Sequence, residues 1–217
     1  MANTSYSILR EKEDGECAKL SLRGRVLDLG GHRESNYLSR IHTELPIEIA
    51  NFDTAHPGTH QTPSGADHIF DFEKPFPLGD ASFDSVLCIN VMEHIYNYNN
   101  LVSESHRILK QGGTMYVSVP FFFNIHGSPN DYFRYTKAAL ERILSEHGFT
   151  QIQVTELGDG PCSVLFQTFG GSLPTMLLKL LGKHIAMGID TFFSKCFKKY
   201  ARISLRVPLG YFVSAKK

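Results

Sequence analysis

Apolar and polar positions follow one another in short blocks that predict strands and helices in turn. Residues 1–24 are polar and mixed in charge, which fits a short leading helix. Arg25-Val26-Leu27-Asp28-Leu29-Gly30-Gly31 is an apolar run entering a Gly-rich turn, the pattern of a buried strand. Ile47 to Asp53 and His68 to Asp71 predict a second and a third strand, each ending on an acid. Ser82 to Asn90 is apolar but too short for a helix, so it predicts a fourth strand buried on both faces. Leu101, Val102, Ile108 and Leu109 share one helical face, and Gly112-Gly113 is expected to close that helix. Thr114 to Val119 predicts a fifth strand, stopped by Pro120. Thr136 can cap a helix with core face Leu140, Ile143 and Leu144, ended by Gly148. Gln151 to Glu156 and Tyr211 to Ala215 supply a sixth and a seventh strand. Strands alternating with helices predict an α/β fold, a doubly wound and mostly parallel seven-stranded sheet. Residues 1–217 are expected to form one domain, with 160–205 a helical insert or lid before the last strand.

Composition narrows the class. Sixteen Phe and nine Tyr need a core, which excludes a disordered chain. Twenty-two basic and twenty-two acidic residues cancel, so no nucleic-acid partner is expected. The balance hides a polarity: from Gly160 onward nine Lys/Arg face the single acid Asp190, a charge of +8, and residues 1–159 carry −8. Four widely spaced cysteines and the absence of an apolar leader predict a reduced, cytoplasmic protein. Gly160 to Leu178 holds no charged residue, but Gly170-Gly171 and Pro174 break it too often for a spanning helix. This segment reads as an insert packed on the body, a dimer face, or an interfacial stretch at the inner face of an anionic membrane.

Ligands of open parallel sheets bind at the carboxyl ends of the strands, near the point where strand order reverses. Asp28, Asp53 and Asp71 fall at such ends, with a Gly pair after the first. A single strand-end aspartate usually caps a turn; three in succession point to a ligand. Of the three dinucleotide-fingerprint glycines, counted from Gly30, His32 and Ser35 replace two, which disfavours a nicotinamide dehydrogenase. A cationic cofactor with a ribose and no phosphates suits the carboxylates better. His56 and His60 are four apart, but Pro57-Gly58 between them argues against a helix, so no metal site is expected.

Val26-Leu27-Asp28-Leu29-Gly30-Gly31, Asp53, Asp71-Phe72-Glu73-Lys74-Pro75-Phe76-Pro77, Ser82-Phe83-Asp84, Glu93-His94-Ile95 and Arg107 to Gly113 form an ordered set. Together they resemble the class I S-adenosylmethionine-dependent methyltransferases, closest to the small-molecule branch called type 11, over about residues 24–156. Gly210 to Lys217 resembles that family's final antiparallel strand. The resemblance implies a Rossmann-like methyltransferase fold with S-adenosyl-L-methionine as cofactor. It places Asp28, Gly30 and Gly31 beside the methionine moiety, Asp53 on the ribose, and Asp71 and the Phe72 backbone on the adenine. Asn90 would lie near the sulfonium. Where the family continues with further glycines, this chain has His32 and Glu34. Arg33 between them is either a partner for the cofactor carboxylate or a solvated charge.

The stretch Pro120 to Tyr135 is dense in aromatic and titratable groups and resembles the matching segment of sugar-modifying family members. It implies a loop for a small-molecule acceptor, such as a sugar or glycosylated intermediate, with His126, Asp131 and Arg134 as polar contacts. His126 has the pKa range of a general base, and Asp131 is a second catalytic candidate or else the cap of the next helix. Glu93-His94 is a second candidate pair. The competing reading is a non-catalytic module of the same fold that binds a partner or membrane through its basic C-terminal segment.

Overall fold

A computed structural model describes residues 7–52, 65–127 and 130–217. Helix α1 (Ile8–Cys17) starts where the Ser7 side chain accepts from the Arg10 N–H. Two short strands, β1 (Ser21–Leu22) and β3 (His42–Thr43), pair with each other in parallel. The main sheet holds β2 (Val26–Leu29), β4 (Glu48–Asn51), β5 (His68–Ile69), β6 (Phe83–Ile89), β7 (Leu109–Pro120), β8 (Thr150–Leu157) and β9 (Gly210–Lys216). Their order is β5-β4-β2-β6-β7-β9-β8, parallel throughout except for β9, which runs antiparallel to both neighbours. The expected seven-stranded, mostly parallel sheet is therefore present, and β9 is its reversed strand.

Helix α2 (Tyr98–Ile108) is capped by Asn97, and α3 (Lys137–Glu146) by Thr136 as anticipated, with Gly148 at φ +88° just past its end. The Gly112-Gly113 pair does not close α2. That helix stops at Ile108, and Leu109 to Gly113 already belong to β7, with a register shift opposite Phe83 and Ser85. Gly112, at φ +79°, supplies the irregularity inside the strand rather than a helix cap.

Both sheet faces are covered, so the strands alternate between two apolar layers. Val86 and Cys88 of β6 join a core with Phe72, Phe83, Leu101, Leu140 and Val213. Leu87 and Ile89 point the other way, to Ile8, Leu9, Leu157, Leu209 and Phe212. Between β8 and β9 lie α4 (Pro161–Phe169), α5 (Met176–Cys196) and α6 (Lys198–Ser204). Gly160 offers no side chain to cap α4. Instead the buried Asp190 of α5 accepts from the Cys162 and Ser163 N–H groups at 3.0 and 2.7 Å, and from the Tyr200 hydroxyl. These helices dock on α1: the Gln167 side chain accepts from the Ile8 N–H, and Lys183 pairs with Glu11. The outer face of α5 exposes Leu177, Leu181, Ile185 and Phe192. No helix among the described residues is long and apolar enough to cross a membrane.

Candidate active site

The chain passes from β2 to β4 and β5 on one side, then returns to β6 on the other, so strand order reverses between β2 and β6. A crevice at the carboxyl ends of these two strands is where such a sheet takes a ligand. The turn after β2 needs glycine. Gly30 sits at φ +79°, and a Cβ there would meet Val91 Cγ2 at 2.5 Å. A Cβ on Gly31 would lie 1.7 Å from Asp28 Oδ2 and 2.7 Å from the Tyr37 hydroxyl.

Asp28 is fully buried on β2. Its Oδ2 accepts from the Tyr37 hydroxyl at 2.8 Å, whereas Oδ1 has no hydrogen-bond partner among the described residues. Burial pushes its pKa up to about 7, the Tyr37 bond opposing it. A buried carboxylate with one free oxygen beside a turn without side chains fits the ammonium end of a cationic amino-acid moiety. Across the crevice Asn90 adopts φ +54° and lies beside the Glu13 carboxylate of α1, which the Ser118 hydroxyl also bonds at 2.7 Å.

Asp71 lies just past β5, and its Oδ1 accepts from the Glu73 N–H at 2.9 Å, an Asx turn. The Phe72 ring is buried among Phe52, Phe70 and Phe76. Asp53 lies outside the described residues, as do His56 and His60. Arg33 is bonded to Asp67 at 2.7 and 2.8 Å, a surface ion pair rather than a free cation.

The second half of the site forms around the short turn Met92–His94 after β6 and the loop after β7. The Tyr132 N–H donates to the Glu93 carbonyl at 2.8 Å, which straps that loop onto the turn. The structure brings His126 and Asp131 together. The His126 N–H donates to Asp131 Oδ2 at 2.9 Å, and His126 Nδ1 lies 3.4 Å from the same oxygen. Arg134 grips both Asp131 oxygens. Burial alone would raise the Asp131 pKa, but the Arg134 and His126 bonds outweigh it and hold it below the usual carboxylate range. Asp131 is thus a fixed anion that aligns His126, and its oxygens are occupied. Burial lowers the His126 pKa, keeping the imidazole neutral at neutral pH.

The sequence separated Glu93-His94 from His126; the fold joins them. The imidazole rings of His94 and His126 are 5.0 Å apart and nearly perpendicular. Glu93 is fully buried, and burial pushes its pKa up to about 8. Tyr37 and Glu13 were also missed, since neither belongs to a recognisable motif. Beside the loop, Tyr96 stacks on Phe133 and meets Tyr132 edge-on at 5.3 Å, forming a solvent-facing aromatic shelf.

Residues 34–117 match the family described as a methyltransferase domain. An uncharacterized protein of Methanocaldococcus jannaschii is 51% identical over 43 residues, which are 20% of this chain and 19% of that one. The chain thus aligns with only about a fifth of that relative's length. The fold is similar to an S-adenosylmethionine-dependent methyltransferase of Archaeoglobus fulgidus, with TM-score 0.59 and 15% identity over 98% of this chain and 95% of that one. It is also similar to phosphoethanolamine N-methyltransferase 2 of Haemonchus contortus, solved with S-adenosyl-L-methionine. There the TM-score is 0.57 and the identity 16%, over 96% of this chain and 52% of that one. A methyltransferase-domain family thus matches residues 34–117, and the fold as a whole is similar to those of S-adenosylmethionine-dependent methyltransferases. The residues at this turn suit such a cofactor: Asp28 keeps one buried oxygen without a partner among the described residues, and Gly30-Gly31 present no side chain.

Proposed function

We propose that this chain, whose residues 34–117 match a methyltransferase-domain family and whose fold is that of such enzymes, moves the methyl group of S-adenosylmethionine to a small-molecule acceptor. The observation that carries the reading is the buried, half-unpaired Asp28 carboxylate at the strand-order reversal, beside the side-chain-free turn Gly30-Gly31. Asp28 would hold the methionine ammonium, Asp53 the ribose hydroxyls, and Asp71 with the Phe72 backbone the adenine. Asn90 would border the sulfonium. When bound, the cofactor supplies an already activated methyl group, so the protein's share is to orient and desolvate the acceptor.

The acceptor is a hydroxyl-bearing molecule such as a sugar or glycosylated intermediate. The Tyr96, Tyr132 and Phe133 shelf offers aromatic faces to a sugar ring, and the Glu93, His94 and His126 group lies beside it. His126, aligned by Asp131, faces the acceptor side, so His126→Ala lowers turnover roughly 10²–10⁴-fold and leaves cofactor affinity nearly intact. Incubating the protein with methyl-labelled cofactor and fractionated metabolites or lipid-linked sugars tests the reading. Label in one hydroxyl-bearing fraction, lost in His126→Ala, supports it; no label in any fraction argues for a non-catalytic module.

A second reading concerns α5. Its exposed Leu177, Leu181, Ile185 and Phe192, with Lys179 and Lys195 on the same helix and Lys198 and Lys199 at the start of α6, suit peripheral contact with an anionic membrane. That contact would bring the site to lipid-linked acceptors.

A further inference from the structure

We propose that Glu93, His94 and His126 form a binding site for one divalent transition-metal ion. One ligand atom from each of the three residues lies within 4.8 Å of the others. Both Glu93 oxygens are buried and make no hydrogen bond among the described residues. The nearest partners of Oε1 are His94 Nε2 at 3.6 Å and His126 Nε2 at 3.9 Å, too long for hydrogen bonds. Those spacings sit close to the roughly 3.3 Å between ligand atoms on a tetrahedral ion with bonds of about 2.0–2.1 Å.

Tautomers favour the same conclusion. His94 Nδ1 contacts the Asn130 carbonyl, and His126 Nδ1 contacts the Asn124 carbonyl at 3.2 Å and Asp131 Oδ2 at 3.4 Å. All three contacts are acceptors, so each Nδ1 carries the proton and each Nε2 keeps its lone pair. Both lone-pair atoms are the ones nearest Glu93. An imidazole whose far nitrogen donates to a carbonyl or carboxylate is the usual outer support of a metal ligand. Two imidazoles and one carboxylate select a borderline ion such as Zn²⁺, Fe²⁺ or Co²⁺ over Mg²⁺ or Ca²⁺. Three protein ligands leave at least one coordination position open, and a partly exposed His126 gives access to it. A bound cation would also neutralise a carboxylate that is otherwise costly to bury.

The site shares His126 with the methyl-transfer reading, and an ion held on its Nε2 would take the place of the free imidazole as the group that activates the acceptor; metal binding is nevertheless measured without cofactor or acceptor, so the two readings fail separately. The full-length chain is stripped with a chelator and titrated with Co²⁺, followed by its visible ligand-field absorption; calorimetry with Zn²⁺ gives stoichiometry. The expected result is one saturable ion per folded chain. Glu93→Gln and His94→Ala should each weaken it at least tenfold, and Asp131→Asn, which loosens the support of His126, by roughly 10–100-fold. His184→Ala, at an exposed histidine on α5, should change nothing. Glu93→Gln keeps the volume and removes the carboxylate ligand, and its unfolding curve shows whether it folds. No saturable binding by the folded wild type overturns the proposal. So does binding that survives both Glu93→Gln and His94→Ala.

Discussion

Replacing Asp28 by Asn tests the cofactor crevice through its electrostatics. Asp28 is fully buried, and burial moves its pKa from the ordinary 3.8 to about 7. Because the folded pKa is raised, the native state binds the proton more tightly than the unfolded chain. Stability is then full below about pH 4 and falls as pH rises toward about 7. A rise of about three pH units, at about 1.4 kcal/mol each, makes the loss roughly 4 kcal/mol once the group is ionised. Asn keeps an acceptor for the Tyr37 hydroxyl and carries no charge. At pH 8 the variant should therefore melt roughly 10 °C above the wild type, taking about 2–4 °C per kcal/mol for a chain of this size. The gap should close near pH 4. Cofactor binding should show the opposite order, because an ionised Asp28 attracts the ammonium: the variant should bind about 10–100-fold more weakly at pH 8, for a lost charged hydrogen bond of about 1.5–3 kcal/mol. Thermal melts from pH 4 to 8.5, with and without cofactor, read both effects. Equal melting at every pH, or unchanged affinity, would refute the reasoning.

Gly31→Ala places a Cβ 1.7 Å from Asp28 Oδ2, so one of the two must shift; calorimetry should show cofactor binding lost in a protein that is still folded. Asp190→Ala leaves the Cys162 and Ser163 N–H groups and the Tyr200 hydroxyl without their acceptor, and should cost at least about 3 kcal/mol in denaturant unfolding. The apolar face and lysines of α5 should sediment the protein with anionic vesicles, not neutral ones, and high salt should release it, each basic residue contributing about 1 kcal/mol. Binding to neither vesicle would make that face part of a protein contact or a lid.

The sheet was legible because its central strands read as unbroken apolar runs, as Val86 to Ile89 does, and the edge strand β8 as a polar–apolar alternation. The two-residue strands β1 and β3 carry no periodicity to read, and the start of β7 reads as a helix end because Gly112-Gly113 suits both roles. Asp28 and its glycines were found because neighbouring residues in sequence build that half of the crevice. The other half was only partly visible: Glu93-His94 and His126 each stood out, but nothing local says that the loop after β7 folds back onto the turn after β6. That closure rests on the Tyr132 N–H donating to the Glu93 carbonyl and on the His94 ring meeting the Asn130 carbonyl, contacts between segments far apart in the chain. Likewise no pattern announced that Asp190 would cap α4 from another helix.

The central claim is that this crevice holds S-adenosylmethionine, and isothermal titration calorimetry of the full chain with that cofactor tests it most directly. The account predicts one saturable site per chain, with affinity that rises with pH through about 7 as Asp28 ionises and falls at least tenfold in Asp28→Asn. No binding heat at millimolar cofactor, in a protein shown to be folded, would contradict it.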